Sequence, residues 1–226
     1  MRYELGNGLT INRYTWNTVD SNAYLIGNED RGLLIDTVDS AELINEIEKF
    51  SDLTVILTHC HFDHIYGLNR IRKSQVRNIN VVCTEKCSEK LGSQFKNMSS
   101  TANAFLAFHT GGEMRGNVVK PFICEPADTV FQKEYSILWC DHRIILTAVY
   151  GHTDDSLIVE MDDRWLFTGD TLLPFPTTTR FPSGSKKRFR DEDLPLLKSM
   201  AGRIECVFPG HGDPGVINDM ISLNRV

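Results

Sequence analysis

The sequence Thr58-His59-Cys60-His61-Phe62-Asp63-His64 directly follows a short apolar run at residues 53–57. A continuous apolar run of this length predicts a fully buried strand. The imidazole and carboxylate side chains that follow it suit zinc and neighbouring divalent metals. Because a regular helix would scatter alternate residues around its axis, we expect a tight loop at the carboxyl end of the strand, where open α/β sheets place their sites. The potential metal ligands are His59, His61, Asp63 and His64.

Three later segments share one form, in which an apolar strand is followed by a glycine and then by one potential ligand. Glycine lets the backbone turn sharply at each strand end. With the first motif these segments bring the number of ligands to seven, whereas one zinc ion usually takes four partners. The set therefore predicts two metal ions, with Asp170 able to place one oxygen on each. The three segments are Gly151-His152, Gly169-Asp170 and Gly210-His211.

The rest of the pattern predicts an α/β protein. Apolar runs at 22–27 and 32–36 flank a polar turn and predict a hairpin. Helical spacing over 40–50, followed by the strand at 53–57, predicts a strand–helix–strand unit with parallel strands. Two strand-rich halves, each with helices, favour stacked layers over one doubly wound sheet. Further predicted elements are helices at 67–73 and 194–200, strands at 80–83 and 204–208, and hairpins at 137–149 and 156–168.

Composition and charge narrow the class of protein. The 226 residues carry 30 acidic and 24 basic side chains, a net charge of −6 with neutral histidines, which argues against nucleic acid as the main partner. No run approaches the roughly 18 apolar residues of a membrane span. No apolar segment follows Met1, so we expect no secretory signal. The six cysteines form no C-x-x-C pair, which favours reduced thiols and a cytoplasmic location.

The motifs resemble those of the metallo-β-lactamase superfamily over nearly the whole chain. The family's H-x-H-x-D-H motif matches residues 59–64, and the later isolated ligands follow in the family's order. The resemblance implies a four-layer αββα sandwich in a single domain covering residues 1–226. It also implies that Asp36 is a buried acid that braces the ligand loop and that Asp170 bridges two metal ions. By the same resemblance, His59, His61 and His152 hold the first ion, and Asp63, His64 and His211 hold the second.

The implied activity is hydrolysis of an ester, thioester or lactone in a small-molecule substrate by a metal-bridging hydroxide. Two divalent ions with two carboxylates leave the site net positive, which stabilises an oxyanion. Zinc is the expected metal, with manganese or iron as alternatives, because zinc lowers the pKa of a bound water to roughly 7. Asp63 and Asp170 are the predicted catalytic residues. Lactam cleavage is not favoured, because true β-lactamases carry a cysteine ligand at the position of Asp170.

Three other functions stay open on this ligand set. The same two metals would also suit a phosphodiesterase, for which the basic side chains after Asp170 are the only support in the sequence. A mono-iron dioxygenase of the persulfide type would use only part of the set. A non-catalytic, metal-stabilised sensor is the remaining alternative, and the complete set of seven ligands disfavours it.

Two segments are predicted to shape the pocket. Residues 92–116 form an irregular helical excursion whose phenylalanines and methionine either cover an apolar substrate group or pack in the core. Residues 174–190 hold three prolines and no period, which predicts a loop on the substrate side. Its basic side chains either hold a carboxylate or phosphate or form a solvated charge run. The apolar residues are Phe95, Met98, Phe105 and Phe108, and the basic ones are Arg180, Lys186, Lys187, Arg188 and Arg190.

Other histidines and cysteines are expected to lie outside the metal site. His142 is predicted to be a surface or partly buried histidine, and so is His109, for which pocket lining is the alternative. Cys60 lies among the ligands, yet we expect its thiol to point away from the metals and pack under the loop. Cys83 and Cys87 are expected to be buried or partly exposed thiols rather than half of a metal site.

Overall fold

The structure, a computed structural model, describes residues 1–6, 9–109 and 118–224. Its internal contacts divide the chain into two compact units. The N-terminal unit comprises Met1–Val82 and Cys87–Thr129, and the C-terminal unit comprises Cys83–Lys86 and Val130–Val226. The single-domain boundary 1–226 stays a prediction. Within the described ranges, none of the helices is long and apolar enough to cross a membrane.

The first sheet contains seven strands that pair in chain order. They are β1 (Arg2–Gly6), β2 (Leu9–Trp16), β3 (Ser21–Asn28), β4 (Arg31–Ile35), β5 (Asp52–Ile56), β6 (Asn78–Thr84) and β7 (Thr129–Phe131). Strands β1 to β4 pair antiparallel, whereas β4, β5 and β6 pair parallel, so the sheet is mixed. The helices up to this point in the chain are α1 (Ala41–Ile47), α2 (Phe62–Ile65), α3 (Leu68–Ile71), α4 (Glu85–Leu91) and α5 (Ala102–His109).

The elements that lead to the ligand loop follow the predicted pattern. Strands β3 and β4 form the predicted antiparallel hairpin, and β4 pairs parallel with β5 across α1. Helix α1 begins after Ser40, whose hydroxyl accepts a hydrogen bond from the Leu43 amide, as expected of an N-cap. Its helically spaced apolar side chains are buried. The parallel pair β4–β5 therefore directs both strand ends towards the same edge of the sheet.

Strands β1 and β2 are not predicted by the sequence pattern. In β2 the buried side chains of Leu9, Ile11 and Tyr14 are interspersed with polar residues that are partly or fully exposed. Pairing with β3, in which Ile11 lies opposite Ile26, defines the strand. The alternation is irregular along β2, so sheet pairing decides this strand more than local propensity does.

The second sheet belongs to the C-terminal unit. Its strands are β8 (Glu134–Trp139), β9 (His142–Ala148), β10 (Leu157–Met161), β11 (Trp165–Gly169) and β12 (Cys206–Pro209), in the spatial order β12-β11-β10-β9-β8. Strands β8–β9 and β10–β11 are the two predicted hairpins, and β12 adds parallel to β11. Cys140 and Asp141, between β8 and β9, have φ of 48° and 66°, the backbone of the tight hairpin turn that matches strand twist.

The segment predicted as a loop at 174–190 ends in a helix. Helix α6 (Lys186–Arg188) is followed by a π-helical turn (Phe189–Asp193) and by α7 (Leu194–Met200), and α8 (Ile217–Leu223) follows β12. The loop prediction is therefore wrong from Lys186 onwards. The sequence shows no helical periodicity here, because the helical part is short and polar. Its apolar packing rests mainly on the buried Phe189. The predicted helix at 194–200 is confirmed.

The excursion at 92–116 divides into core and surface residues. Met98 and Phe105 pack against a buried cluster of Phe62, Ala102, Leu106 and Val119. In contrast, Phe95 and Phe108 are 75% and 85% exposed. Core packing therefore accounts for the first pair only. Residues 110–117 and the side chain of His109 lie outside the described part of the chain.

Candidate metal centre

Four of the predicted ligands lie in the N-terminal unit, after the carboxyl end of β5. His59 and His61 occupy the loop that follows the strand, whereas Asp63 and His64 lie in the one-turn helix α2. The prediction of a loop thus holds for the first two ligands and is wrong for the last two. A single helical turn does not spread the four side chains around a helix axis, because it contains only two of them, Asp63 and His64. The four ligands can therefore still share one site. All four side chains are buried.

Asp36 braces this ligand segment, as the resemblance implied. It follows β4 with a φ of 56° and its side chain is buried. Its carboxylate accepts hydrogen bonds from the Thr58 amide (2.7 Å) and the Thr58 hydroxyl (2.7 Å), and lies 2.9 Å from His64 Nδ1. Ser21 Oγ, on β3, donates to the Asp63 carbonyl at 3.0 Å. The ligand segment is therefore fixed to the ends of two neighbouring strands.

These contacts determine which ring nitrogen each histidine can offer. Asp36 accepts only, so His64 Nδ1 must carry the proton that it shares with the carboxylate. The Thr58 hydroxyl already donates to Asp36, so it accepts from His59 Nδ1, 3.1 Å away. In both rings the lone pair is then left on Nε2. Metal-binding histidines show this arrangement, in which the other ring nitrogen donates to a carboxylate, carbonyl or similar acceptor.

The spacing of the ligand atoms fits a metal. His64 Nε2 lies 3.6 Å from Asp63 Oδ2, too far for a hydrogen bond of ordinary strength. Two ligand atoms that each lie about 2.1 Å from a tetrahedral zinc are about 3.4 Å apart. The rings of His59 and His61 are also close, with centroids 4.6 Å apart. The donors of this unit thus have the chemistry and spacing of metal ligands.

The C-terminal unit brings together the other three ligands, His152, Asp170 and His211. Asp170 follows β11 directly, after Gly169, whose φ of +48° is easily adopted only without a Cβ. The Nε2 atoms of His152 and His211 each lie 3.5 Å from the same oxygen, Asp170 Oδ2. His152 Nδ1 lies 2.9 Å from the Thr178 carbonyl, to which it must donate. His152 Nε2 then carries no proton, faces the Asp170 carboxylate and has a lone pair available for a metal ion.

The backbone before His152 is held by a buried carboxylate that sequence reasoning did not single out. Asp193 accepts hydrogen bonds from the amides of Tyr150 (3.1 Å) and Gly151 (2.7 Å). Burial raises its pKa from 3.8 to about 6, although the two amide hydrogen bonds act to lower it. In the sequence, Asp193 ends the charged run Arg190-Asp191-Glu192-Asp193, so only its position directly before the apolar helix α7 sets it apart.

The raised pKa of Asp193 predicts a pH dependence of stability. The folded chain keeps this proton up to about pH 6, whereas the unfolded chain releases it near 3.8. The contribution of protonated Asp193 is therefore complete below pH 4 and is lost as the pH rises to 6. Relative to Asp193→Asn, the metal-free wild-type chain should lose about 2 kcal/mol of unfolding free energy between about pH 4.5 and about pH 7.5. Denaturant unfolding in the presence of a chelator measures the difference.

Asp191→Asn is the matched control for this measurement. Asp191 lies in the same π-helical turn but is exposed, and its hydrogen bond with Arg190 lowers its pKa. Asp191→Asn should therefore change the pH dependence of the unfolding free energy only weakly, and in the opposite direction. Equal pH dependence in the wild type and Asp193→Asn would contradict the assignment, because the charged groups acting on Asp193 in the wild type, Glu192 and Arg188, are still present in the variant.

The other predicted residues lie where expected. Cys60 is buried and its Sγ lies 3.6 Å from the Lys96 carbonyl. His142 is partly buried, with Nδ1 2.6 Å from Asp162 Oδ2. Cys83 and Cys87 are buried, and all six cysteines are thiols.

Known proteins resemble this chain in sequence. A sequence model of the metallo-beta-lactamase superfamily matches residues 16–211. The chain is 26% identical over 212 residues to a beta-lactamase-like protein 2 homolog of Drosophila melanogaster, covering 85% of this chain and 59% of that protein. It is 26% identical over 157 residues to a probable metallo-hydrolase of Streptococcus pyogenes, covering 67% of this chain and 62% of the relative. The chain thus spans about three fifths of the length of these relatives.

The fold is shared with solved structures. The crystal structure of the BLEG-1 B3 metallo-beta-lactamase has a TM-score of 0.73 and 22% identity, and covers 95% of this chain and 97% of that one. This likeness confirms the predicted fold class, with two mixed sheets and flanking helices. The relative from Streptococcus pyogenes is named as a probable metallo-hydrolase. As its sequence motifs predicted, the chain belongs to the metallo-β-lactamase superfamily.

Proposed function

We propose that the chain is a dinuclear metal-dependent hydrolase that cleaves an ester, thioester or lactone in a small molecule. The observation that carries the proposal is the ligand geometry inside each unit. In both units a histidine Nε2 and a carboxylate oxygen lie 3.5 to 3.6 Å apart. In both units, too, the Nδ1 of a ligand histidine is held by an acceptor. This is the geometry of side chains prepared to bind a metal ion.

The proposed assignment of ligands uses all seven side chains. His59, His61 and His152 hold one ion, Asp63, His64 and His211 hold the other, and Asp170 serves both. Seven donors exceed what one ion takes, which supports two. The Nε2 atoms of His152 and His211 both lie 3.5 Å from Oδ2 of Asp170, so this carboxylate lies beside one ligand of each proposed ion.

In the proposed reaction, the residues around the metal site would have separate roles. Divalent ions bound here would lower the pKa of a water molecule and polarise the bond to be cleaved. Asp63, on the short helix α2, would orient the attacking water and take up its proton at a carboxylate oxygen. Asp36 and the Thr178 carbonyl keep His64 and His152 in the required tautomer.

The basic side chains after Asp170 give only partial support to a phosphodiester substrate. The guanidinium of Arg188 binds both carboxylate oxygens of Glu192 at 2.9 and 2.7 Å. Arg190 binds both oxygens of Asp191 in the same manner. Two of the five basic side chains therefore already pair with neighbouring carboxylates, which weakens the hypothesis that this loop binds a phosphate.

Metal content and turnover test the proposal together. Protein purified without added metal should contain two divalent ions per chain, and the expected metal is zinc, with manganese or iron as alternatives. It should hydrolyse members of a panel of p-nitrophenyl esters, acyl thioesters and lactones. A bis-p-nitrophenyl phosphate assay provides the comparison with phosphodiesters, and chelator treatment should abolish turnover.

The other functions would give different results. One iron per chain without hydrolysis would reject the proposal in favour of oxygen chemistry. Phosphodiester turnover that greatly exceeds ester, thioester and lactone turnover would favour a phosphodiesterase. Two bound ions with no turnover on any member of the panel would favour a metal-stabilised sensor.

A further inference from the structure

His152 is held by a longer segment of the chain than its own loop. The Thr178 carbonyl accepts from its ring, and the Phe181 ring meets the imidazole edge to face, with centroids 5.2 Å apart. The Ser185 amide donates to the Gly151 carbonyl at 2.8 Å. Three residues between β11 and α6 therefore contact His152 or the glycine before it.

The π-helical turn also contacts the backbone that precedes His152. Asp193 accepts from both amides that precede His152. A Cβ on Gly151 would lie 2.5 Å from Phe189 Cβ and 2.6 Å from Asp193 Oδ2. Atoms at these distances would clash with a Cβ, so glycine is the residue that fits at position 151. The Arg188 guanidinium covers the Tyr150 ring at 3.7 Å.

We propose that Asp193 is a positioning residue, which fixes the Tyr150–Gly151 backbone so that His152 Nε2 faces Asp170 and is ready to bind a metal. A buried carboxylate bound to two amides is costly to keep, since its desolvation is only partly offset by those hydrogen bonds. Its neighbours Asp191 and Glu192 are exposed and pair with arginines. Only Asp193 of the three is directed at the ligand loop.

The inference rests on the proposed function, because it assumes that His152 binds a metal. Residues that support a metal ligand from behind typically change metal affinity by roughly 10- to 100-fold when they are replaced. Asp193→Asn keeps the size of the side chain but places an amide donor against one of the two backbone donors. The His152 loop should then lose one of its two anchors to the π-helical turn.

Metal titration of the full chain tests this. Zinc is added to the metal-free wild type, Asp193→Asn and the matched control Asp191→Asn in competition with a chromophoric chelator. Asp193→Asn should weaken the binding of one ion by roughly 10- to 100-fold and change the other much less, whereas Asp191→Asn should match the wild type. The absorption spectrum of the cobalt-loaded chain should change in Asp193→Asn only. A purely structural role would not select one ion.

Hydrogen exchange in the metal-free chain supplies a second measurement. The amides of Tyr150 and Gly151 should exchange faster in Asp193→Asn, while amides in β10 and β11 keep their wild-type rates. Should Asp193→Asn fail to fold, Asp193→Ser, which is smaller and can still accept a hydrogen bond, is judged by the same criteria.

The outcomes separate this inference from the proposed function. Wild-type affinity for both ions, or unchanged exchange at Tyr150 and Gly151, would overturn the role of Asp193. Equal weakening of both ions in Asp193→Asn and Asp191→Asn would overturn it too, because the effect would then be general. A wild-type chain that binds two ions but hydrolyses nothing rejects the proposed activity and leaves the role of Asp193 standing.

Discussion

Replacing Asp170 by Ala should reduce kcat/KM by at least about 10³-fold and should remove at least one of the two bound ions. The reason is that Oδ2 lies 3.5 Å from the Nε2 atoms of both His152 and His211, and in the proposed assignment this carboxylate serves both ions. Asp170 is also buried, which limits how easily water can replace the lost ligand. Metal analysis of the purified variant and steady-state kinetics on the best substrate of the panel measure the two effects.

Asp219→Ala is the control for this variant, since Asp219 lies on the exposed face of α8. It should keep both ions and wild-type kinetics. Asp170→Asn separates charge from shape, because it preserves the size of the side chain but removes the negative charge. If Asp170→Ala retained two ions and most of its activity, the bridging assignment would be wrong, although the protein would still bind two ions.

The second large effect is expected at Asp36, and here it concerns stability. Asp36→Asn cannot accept from all three of the donors that the carboxylate now satisfies, namely the Thr58 amide, the Thr58 hydroxyl and His64 Nδ1. A buried donor left without an acceptor costs about 1 to 3 kcal/mol, and hydrogen bonds to a charged group are worth more than neutral ones. We expect a loss of about 3 kcal/mol of unfolding free energy, or about 10 °C in Tm for a chain of this size.

The choice of asparagine keeps the backbone out of this measurement. Asp36 has a φ of 56°, a conformation that asparagine tolerates better than alanine does. Denaturant unfolding with a chelator present isolates the effect from metal binding. Asp39→Asn is the matched control, because Asp39 forms an exposed ion pair with Arg70 at 2.8 Å and such pairs contribute about 0 to 1 kcal/mol. Equal stability of Asp36→Asn and Asp39→Asn would refute the bracing role.

The candidate metal ligands could be proposed from the sequence because their chemistry is unusual and their spacing is local. His59 and His61 follow an apolar strand, and Asp170 follows a strand and a glycine, so each can be placed without a structure. The acceptors behind the histidines are different. Thr178 contributes a backbone carbonyl, which any residue type could supply, and Asp193 is one acid in a charged run. Thr178 has no sequence signal, and Asp193 has only its position before the apolar helix α7, because both roles depend on contacts between distant segments.

The same distinction explains the errors in secondary structure. Strand β5 is apolar throughout its buried part and was easily located, whereas β2 has an irregular alternation and is defined by its pairing with β3. The helix that begins at Lys186 consists of charged residues after a proline-containing segment, so its pattern resembles a loop. Its anchor is one buried side chain, Phe189, and a single apolar residue has no period.

The raised pKa of Asp193 has a consequence for laboratory evolution. A screen for heat tolerance at neutral pH with chelator selects on the stability of the metal-free fold, in which an ionised buried carboxylate is a disadvantage. Such a screen should enrich neutral residues at position 193 that can still accept a hydrogen bond from the Tyr150 or Gly151 amide. With zinc in the medium, metal binding adds to the stability of the folded state. A chain that binds both ions tightly therefore gains the most stability. The preferred residue at position 193 should then return to aspartate, and the composition of the medium would decide which sequence survives.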